Sequence, residues 1–101
     1  MGMITRNEAQ TIGASVVSIS TKMAGGQRQV ISLRNSSTGG QNISISFSDN
    51  SVAVSGSGIV LAAGQSIIDA TSEGYECWQG AISSISDAAG GTLSIFERVI
   101  T

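Results

Sequence analysis

The stretch Gln29–Ser48, QVISLRNSSTGGQNISISFS, decides how this chain folds. In its second half Ile43, Ile45 and Phe47 alternate with Ser44, Ser46 and Ser48, and a two-residue period belongs to a strand, not a helix. The first half repeats it, with Ile31 and Leu33 on one side and Ser32 and Arg34 on the other. Between the halves stand Gly39 and Gly40, residues that reach positive φ without a Cβ clash. The stretch predicts a hairpin with one apolar and one polar face, and the apolar face requires a second layer to cover it.

Outward from this stretch the same grammar repeats. Ser15–Thr21 reads as a strand with Val17 and Ile19 on one face, and Lys22–Gln27 as a turn reversed at Gly25 and Gly26. Asp49–Ser57 carries only Val52 and Val54 between turn residues, so it predicts a short edge strand or a loop crossing between sheets. Ile59–Leu61 and Gln65–Ala70 are short strands separated by the turn Ala62–Gly64, and Thr71–Gly74 is a polar connector. Tyr75–Trp78 opens a strand that Gly80 breaks or bulges before Ala81–Ser86 continue it. Asp87–Gly91 turns the chain, and Thr92–Arg98 closes the fold with Leu93 and Ile95 inward and Val99 and Ile100 extending it.

Residues 1–14 mix polar side chains with isolated Met3, Ile4 and Ile12. They predict an extended N-terminal arm, either frayed or laid on a neighbouring subunit through Ile4 and Ile12. The fold class is therefore all-β: a small antiparallel β-sandwich or barrel of about seven to eight short strands, formed by residues 15–101 as one domain.

Composition narrows the function classes. The chain has 101 residues, enough for one core. Hydrophobic residues make up 41% and aromatic ones only 4%, so the core is built from small aliphatics and is thin enough to invite support from a partner chain. Five basic residues and a net charge of −2 cannot make a phosphate-binding stripe, so no nucleic acid is expected. No run is long and apolar enough to span a bilayer, and the opening MGMITRNEAQTIGAS lacks the pattern of a signal peptide. The single Cys77 excludes an internal disulfide framework and suits assembly in a cytosol.

Reactive chemistry is scarce. The chain contains no histidine, which removes Ser-His-Asp and Cys-His catalysis and His-ligated zinc. Lys22, in a Gly-rich turn, reads as an ordinary solvated lysine rather than half of a Ser-Lys pair. Glu73, Glu76 and Asp69 read as loop acids rather than a glycosidase pair. Asp49 with Asn50, and Asp87 near Gly90, read as Asx turns rather than calcium ligands. GSGIVLAAG lacks the spacing of a phosphate loop. No catalytic, cofactor-binding or metal-binding residue is assigned, no enzyme activity or cofactor is expected, and neither is a small-molecule ligand.

Cys77 and Trp78 are the most distinctive side chains. One reading buries both in the core; the other places Trp78, with Tyr75, on a subunit interface where aromatics carry much of the binding energy. Arg34 and Arg98 fall on strands rather than loop tips, and are the charges best placed to meet a partner's carboxylate. Trp78, Tyr75, Arg34, Arg98, Ile4 and Ile12 are thus the candidate interface.

The ordered segments RNSSTGGQNISISFSD, GSGIVLAAGQSI, WQGAISSIS and GGTLSIFER together resemble a group of small phage virion proteins, compact β-sandwiches encoded near head genes. That group has an I-x-I-x-F strand, a G-I-x-L-x-x-G turn, a G-x-I-x-x-I-S strand and a final G-T-L-x-x-x-E, and the likeness spans residues 28 to 98. It departs at Ala81–Ile85, where the group often carries I-Y-A-I, so the local partner face is not carried over. The resemblance implies a structural virion component: a capsid decoration (cement) protein, or a vertex or fibre-base protein. Its implied partners are the major capsid protein and further copies of itself, as a homotrimer, at the capsid surface after synthesis in the host cytoplasm. The alternative is a spike or receptor-binding module on the virion surface.

Overall fold

The alternating segments become strands: β1 (Met3–Ile12), β2 (Val17–Ser20), β3 (Arg28–Asn35), β4 (Ile43–Phe47), β5 (Ile59–Leu61), β6 (Ser66–Ala70), β7 (Ile82–Ser86) and β8 (Gly91–Ile100). The computed structural model describes residues 2–23 and 27–100, and the reversal expected at Gly25 and Gly26 lies outside them. Two four-stranded antiparallel sheets result, sheet A in the order β1-β8-β3-β6 and sheet B in the order β2-β7-β4-β5. First pairs with last, second with seventh, third with sixth and fourth with fifth. This is the strand order of a jelly roll, an antiparallel chain folded over on itself into two packed sheets. The expected all-β sandwich is what forms.

Such a topology corrects the hairpin expected at Gln29–Ser48. β3 lies between β8 and β6 in one sheet and β4 between β7 and β5 in the other, so the two arms never pair. Both edges of β3 are already occupied. Residues 36–42, with Gly40 at φ 79°, carry the chain across the sandwich, and buried Asn35 fixes the corner. Its Nδ2 donates to Gln41 O at 2.8 Å and Leu61 O at 2.7 Å, while its Oδ1 accepts from Ser37 N at 3.0 Å. One side chain thereby ties the end of β3 to the start of β4 and the end of β5.

The N-terminal segment is extended, as expected, but it is a full strand of sheet A rather than a separate arm. Met3–Ile12 pairs with β8 of its own chain in unbroken register from Met3↔Ile100 to Ile12↔Gly91. Ile12 is fully buried in the core, where it cannot reach a neighbouring subunit. The Cα radius of gyration, 13.2 Å, matches the roughly 13 Å expected of a 100-residue domain, so β1 is folded in rather than projecting.

Two further expectations change. Tyr75–Gln79 is not a strand: the segment crosses from β6 in sheet A to β7 in sheet B, with one isolated bridge, Ser72↔Tyr75. Residues 48–58 neither form a strand nor cross; they link β4 and β5 within sheet B and fold back over its outer face. There Ala53 N donates to Ser83 Oγ at 2.9 Å, Gly56 N donates to Ser44 Oγ at 2.9 Å, and Ser46 Oγ donates to Ser51 O at 3.2 Å.

Between the sheets Ile12, Ile19, Ile31, Leu33, Ile43, Ile45, Leu61, Cys77, Ile82, Leu93 and Ile95 form one buried cluster, without a fully buried aromatic ring. Each buried aliphatic contributes about 1.5–3 kcal/mol relative to exposure. Ser84 interrupts the cluster. It faces inward opposite Ile45 and Val17, is fully buried, and its hydroxyl has no hydrogen-bond partner. An unsatisfied buried hydroxyl costs about 1–3 kcal/mol. Ser84→Ala is therefore expected to raise the melting temperature by several degrees, at about 4–8 °C per kcal/mol for a domain of this size; thermal unfolding followed by circular dichroism checks it, and a lower melting temperature would refute the assignment.

Candidate functional site

Alternation along sheet A sorts its side chains to two faces, and the register places the six expected interface residues. Arg34 on β3 and Arg98 on β8 share the outer face, where Arg34 stands opposite Ser94 and Arg98 opposite Val30. Around them the same face carries Val30, Ser32, Phe96 and Ile68, the last 66% exposed. Among the described residues no carboxylate of β3, β6 or β8 lies on this face: Glu97 and Asp69 occupy the opposite phase, each beside inward Ile31. Arg98 sits over the Phe96 ring, 5.9 Å from its centroid, and its Nε donates weakly to Thr5 Oγ1 at 3.4 Å. Arg34 is exposed. The result is a largely uncharged surface with two exposed cations, an exposed Ile68 and half-buried Val30 and Phe96.

The other candidates lie elsewhere. Tyr75 is exposed on the β6–β7 crossover, and its hydroxyl donates to Asp69 Oδ1 at 2.5 Å; that bond to a carboxylate raises its pKa. Trp78 is half-buried and packs against the core cluster, donating from Nε1 to Ala81 O at 3.0 Å. Its ring fills the space a side chain would need at position 80, since a Cβ on Gly80 would collide with Trp78 Cζ2. Ile4 is 58% exposed near the start of β1. The face therefore brings Arg34 and Arg98 together, while Trp78, Tyr75, Ile4 and buried Ile12 are not part of it.

Behind this face lies an arrangement that the sequence reading missed. Arg28 is fully buried at the bulged start of β3, beside Glu97, which is also buried. All five guanidinium N–H groups meet oxygens. Nε donates to Glu97 Oε2 at 2.8 Å; one terminal nitrogen donates to Trp78 O at 2.7 Å and Gly80 O at 2.9 Å; the other donates to Ser20 Oγ at 2.5 Å and Thr21 O at 3.1 Å. Ser20 Oγ donates in turn to Glu97 Oε2 at 2.9 Å. Gln79 completes the cage, accepting from Arg28 N at 2.8 Å and donating to Arg28 O at 2.7 Å. Arg6 approaches Glu97 Oε1 at 3.6 Å and donates to Ile19 O at 2.8 Å. The network joins β1, β3 and β8 of sheet A to β2 and the β6–β7 crossover.

With every donor of Arg28 used inside the protein, this charge pair has no free valence for a substrate, and it acts as a latch. One half was legible: Glu97 continues the inward phase of Leu93 and Ile95. Arg28 was not, because the bulge between Arg28 and Val30 changes which side of the strand it takes. Cys77 is buried beside the latch and donates its thiol to Asp69 O at 3.2 Å. Burial first, and then the nearby Asp69, push its pKa from 9.0 up to about 11.

Among the described residues no group of three or more His, Cys, Asp or Glu is placed to hold a metal ion, and no helix is long and apolar enough to cross a membrane. The chain matches no protein-family model, and no curated protein matches it significantly.

Three outcomes are expected. Arg28→Lys keeps the charge but has three donors for five acceptors, and should lose at least about 3 kcal/mol in urea denaturation because it leaves buried oxygens unpaired; wild-type stability would refute the latch. For Cys77, a pKa raised from 9.0 to about 11 lowers the reactive thiolate fraction about a hundredfold at pH 8. Iodoacetamide should therefore label native protein at least that much more slowly than urea-unfolded chain. Since the folded state holds this proton more tightly than the unfolded chain, stability should fall as pH rises from 9.0 through about 11.

Proposed function

We propose that the chain is a structural virion protein, a capsid decoration or cement protein that docks on the major capsid protein through the outer face of sheet A. In this reading it bridges neighbouring capsid subunits, so that pressure inside the head must break its contacts as well as the shell's own. It self-associates to match the repeated sites of the shell, and it works at the capsid surface after synthesis in the host cytoplasm. No catalysis or small ligand enters the mechanism. The kind of particle comes from the resemblance over residues 28 to 98.

The observation that carries the reading is the unequal treatment of the two faces. The chain's own 48–58 loop covers the centre of the outer face of sheet B, over Ser44, Ser46 and Ser83, whereas among the described residues no loop is bonded across that of sheet A, where exposed Ile68 and half-buried Val30 and Phe96 share the face with Arg34 and Arg98. A protein of net charge −2 that gathers two cations on its uncovered face suits an acidic, partly apolar protein surface. A recognition module on the virion surface is the second reading. It draws on Val52 and Val54, exposed at the tip of the 48–58 loop beside depressions of about 240 and 230 Å³. These are smaller than the roughly 300 Å³ at which small-molecule pockets begin, so that reading concerns macromolecular contact.

Co-sedimentation with empty capsids of the encoding phage tests the proposal. Arg34→Glu/Arg98→Glu should bind at least about tenfold more weakly, at an unchanged melting temperature, since both side chains are exposed. Wild-type protein that ignores capsids, or a variant that binds as well as wild type, would overturn it. Binding of the isolated protein to host-cell glycans with Val52→Ser/Val54→Ser abolishing it would favour the second reading instead.

A further inference from the structure

Each sheet has two edge strands, and among the described residues they differ sharply in length. β1 has ten residues, β6 five, β2 four and β5 three. β1 is exposed along almost its whole length. It contains neither proline nor lysine, and no bulge disturbs its pairing with β8. An open edge of this kind presents unpaired backbone N–H and C=O groups as a template for another strand. Among the described residues no other edge is long enough to cover it. A second β1 is.

We propose that two copies of this chain join through β1, antiparallel, about a two-fold axis at Asn7. The axis stands perpendicular to the sheet, so side chains opposite each other must share a face. Only registers in which opposed residue numbers sum to an even value satisfy this. With Asn7 opposite Asn7 of the partner, the pairs are Met3 with Thr11, Ile4 with Gln10, Thr5 with Ala9, and Arg6 with Glu8, each made twice. A slip to the nearest allowed register on one side sets Arg6 against Arg6; on the other side it sets Glu8 against Glu8. Like charges directly opposite are destabilising and opposite charges are favourable, so the charge pattern selects one register out of three.

The side chains are prepared for it. Glu8 is 51% exposed, with Oε1 3.1 Å from Arg6 Nε of its own chain. That approach is not a directed hydrogen bond: Arg6 Nε is buried and lacks one, and the exposed Glu8 carboxylate is the group that a partner's Arg6 would meet. Arg6 and Glu8 are also the only charges on β1. They discourage a strand that offers nothing in return and suit one that presents the same pair reversed. Joining the edges makes one continuous eight-stranded sheet, and the two-fold places both Arg34–Arg98 faces on the same side of it. The inference stands apart from the virion reading, since it concerns the isolated protein.

Light scattering after size exclusion, on the full chain over a range of concentrations, is expected to show a monomer–dimer equilibrium. Glu8→Lys should abolish the dimer, because a second cation would then oppose Arg6, with the melting temperature measured in parallel to confirm folding. Cysteine cross-linking reads the register: opposed Cα atoms lie about 4.5–5.5 Å apart, within disulfide range. Asn7→Cys should cross-link to itself under mild oxidation. Ala9→Cys alone should not, but should do so when mixed with Thr5→Cys; native Cys77 is buried and does not compete. A strict monomer throughout the soluble range, a trimer, open-ended chains, or Ala9→Cys cross-linking to itself would each overturn the proposal.

Discussion

Arg28 reaches its five acceptors from one fully buried position, and the rest of the sandwich is arranged so that those oxygens converge. Glu97 comes from the neighbouring strand, Ser20 and Thr21 from the end of β2, and the carbonyls of Trp78 and Gly80 from the crossover. A buried ion pair is not in itself a large gain in stability, because desolvation offsets much of the Coulomb attraction. What it imposes here is register. A one-residue slip of β8 against β3 would turn Glu97 outward and leave Arg28 buried without its carboxylate, at a cost a thin aliphatic core could not absorb. Asn35 performs the neutral version of the same task where β3 ends, holding three chain segments with one carboxamide. Between the two polar fixings of β3, Ile31 and Leu33 pack without directional demands.

The serines on the two outer faces are used differently. On the outer side of sheet B, Ser44, Ser46 and Ser83 bind the 48–58 loop. The hydroxyls on the outer side of this sheet are thus used by the chain itself. On sheet A, Ser32 and Ser94 are interleaved with Val30, Phe96 and the two arginines, and the face stays uncovered. One sheet has its centre covered internally and the other is left open.

Strand positions were legible because alternation is a local signal, and β2 to β8 fall where it occurs. Connectivity was not, because Gly, Asn and Ser make a hairpin turn and a sheet-to-sheet corner equally well. Length was the clue available at the first corner: residues 36–42 exceed the two to five residues usual in hairpin loops. β1 was hidden for a different reason. Its inward phase carries Ile4, Arg6, Glu8 and Gln10 before reaching Ile12, so it shows almost no apolar alternation; it is held by backbone pairing with β8 rather than by burial. Of the site, the pairing of Arg34 with Arg98 on one face could be guessed only as two separate strand residues, since their common face depends on β3 lying beside β8, a contact between sequence-distant strands.

That polar inward phase connects the edge to the open face. If β1 were an arm with apolar anchors, self-association would proceed by exchanging it between copies, and each sandwich would lose its own anchor at Ile12. Ile12 is instead sealed in the core beside Gly91, whose missing Cβ allows the two backbones to approach, so exchange would open the core at the end where β1 meets β8. Lateral addition at the edge leaves the core intact and demands only that the partner match the charges of Arg6 and Glu8. It also extends sheet A, the one whose outer face is uncovered, and not sheet B, whose edges are too short to propagate. The strand that looks least like part of the fold is therefore the one that determines how the bare face is multiplied.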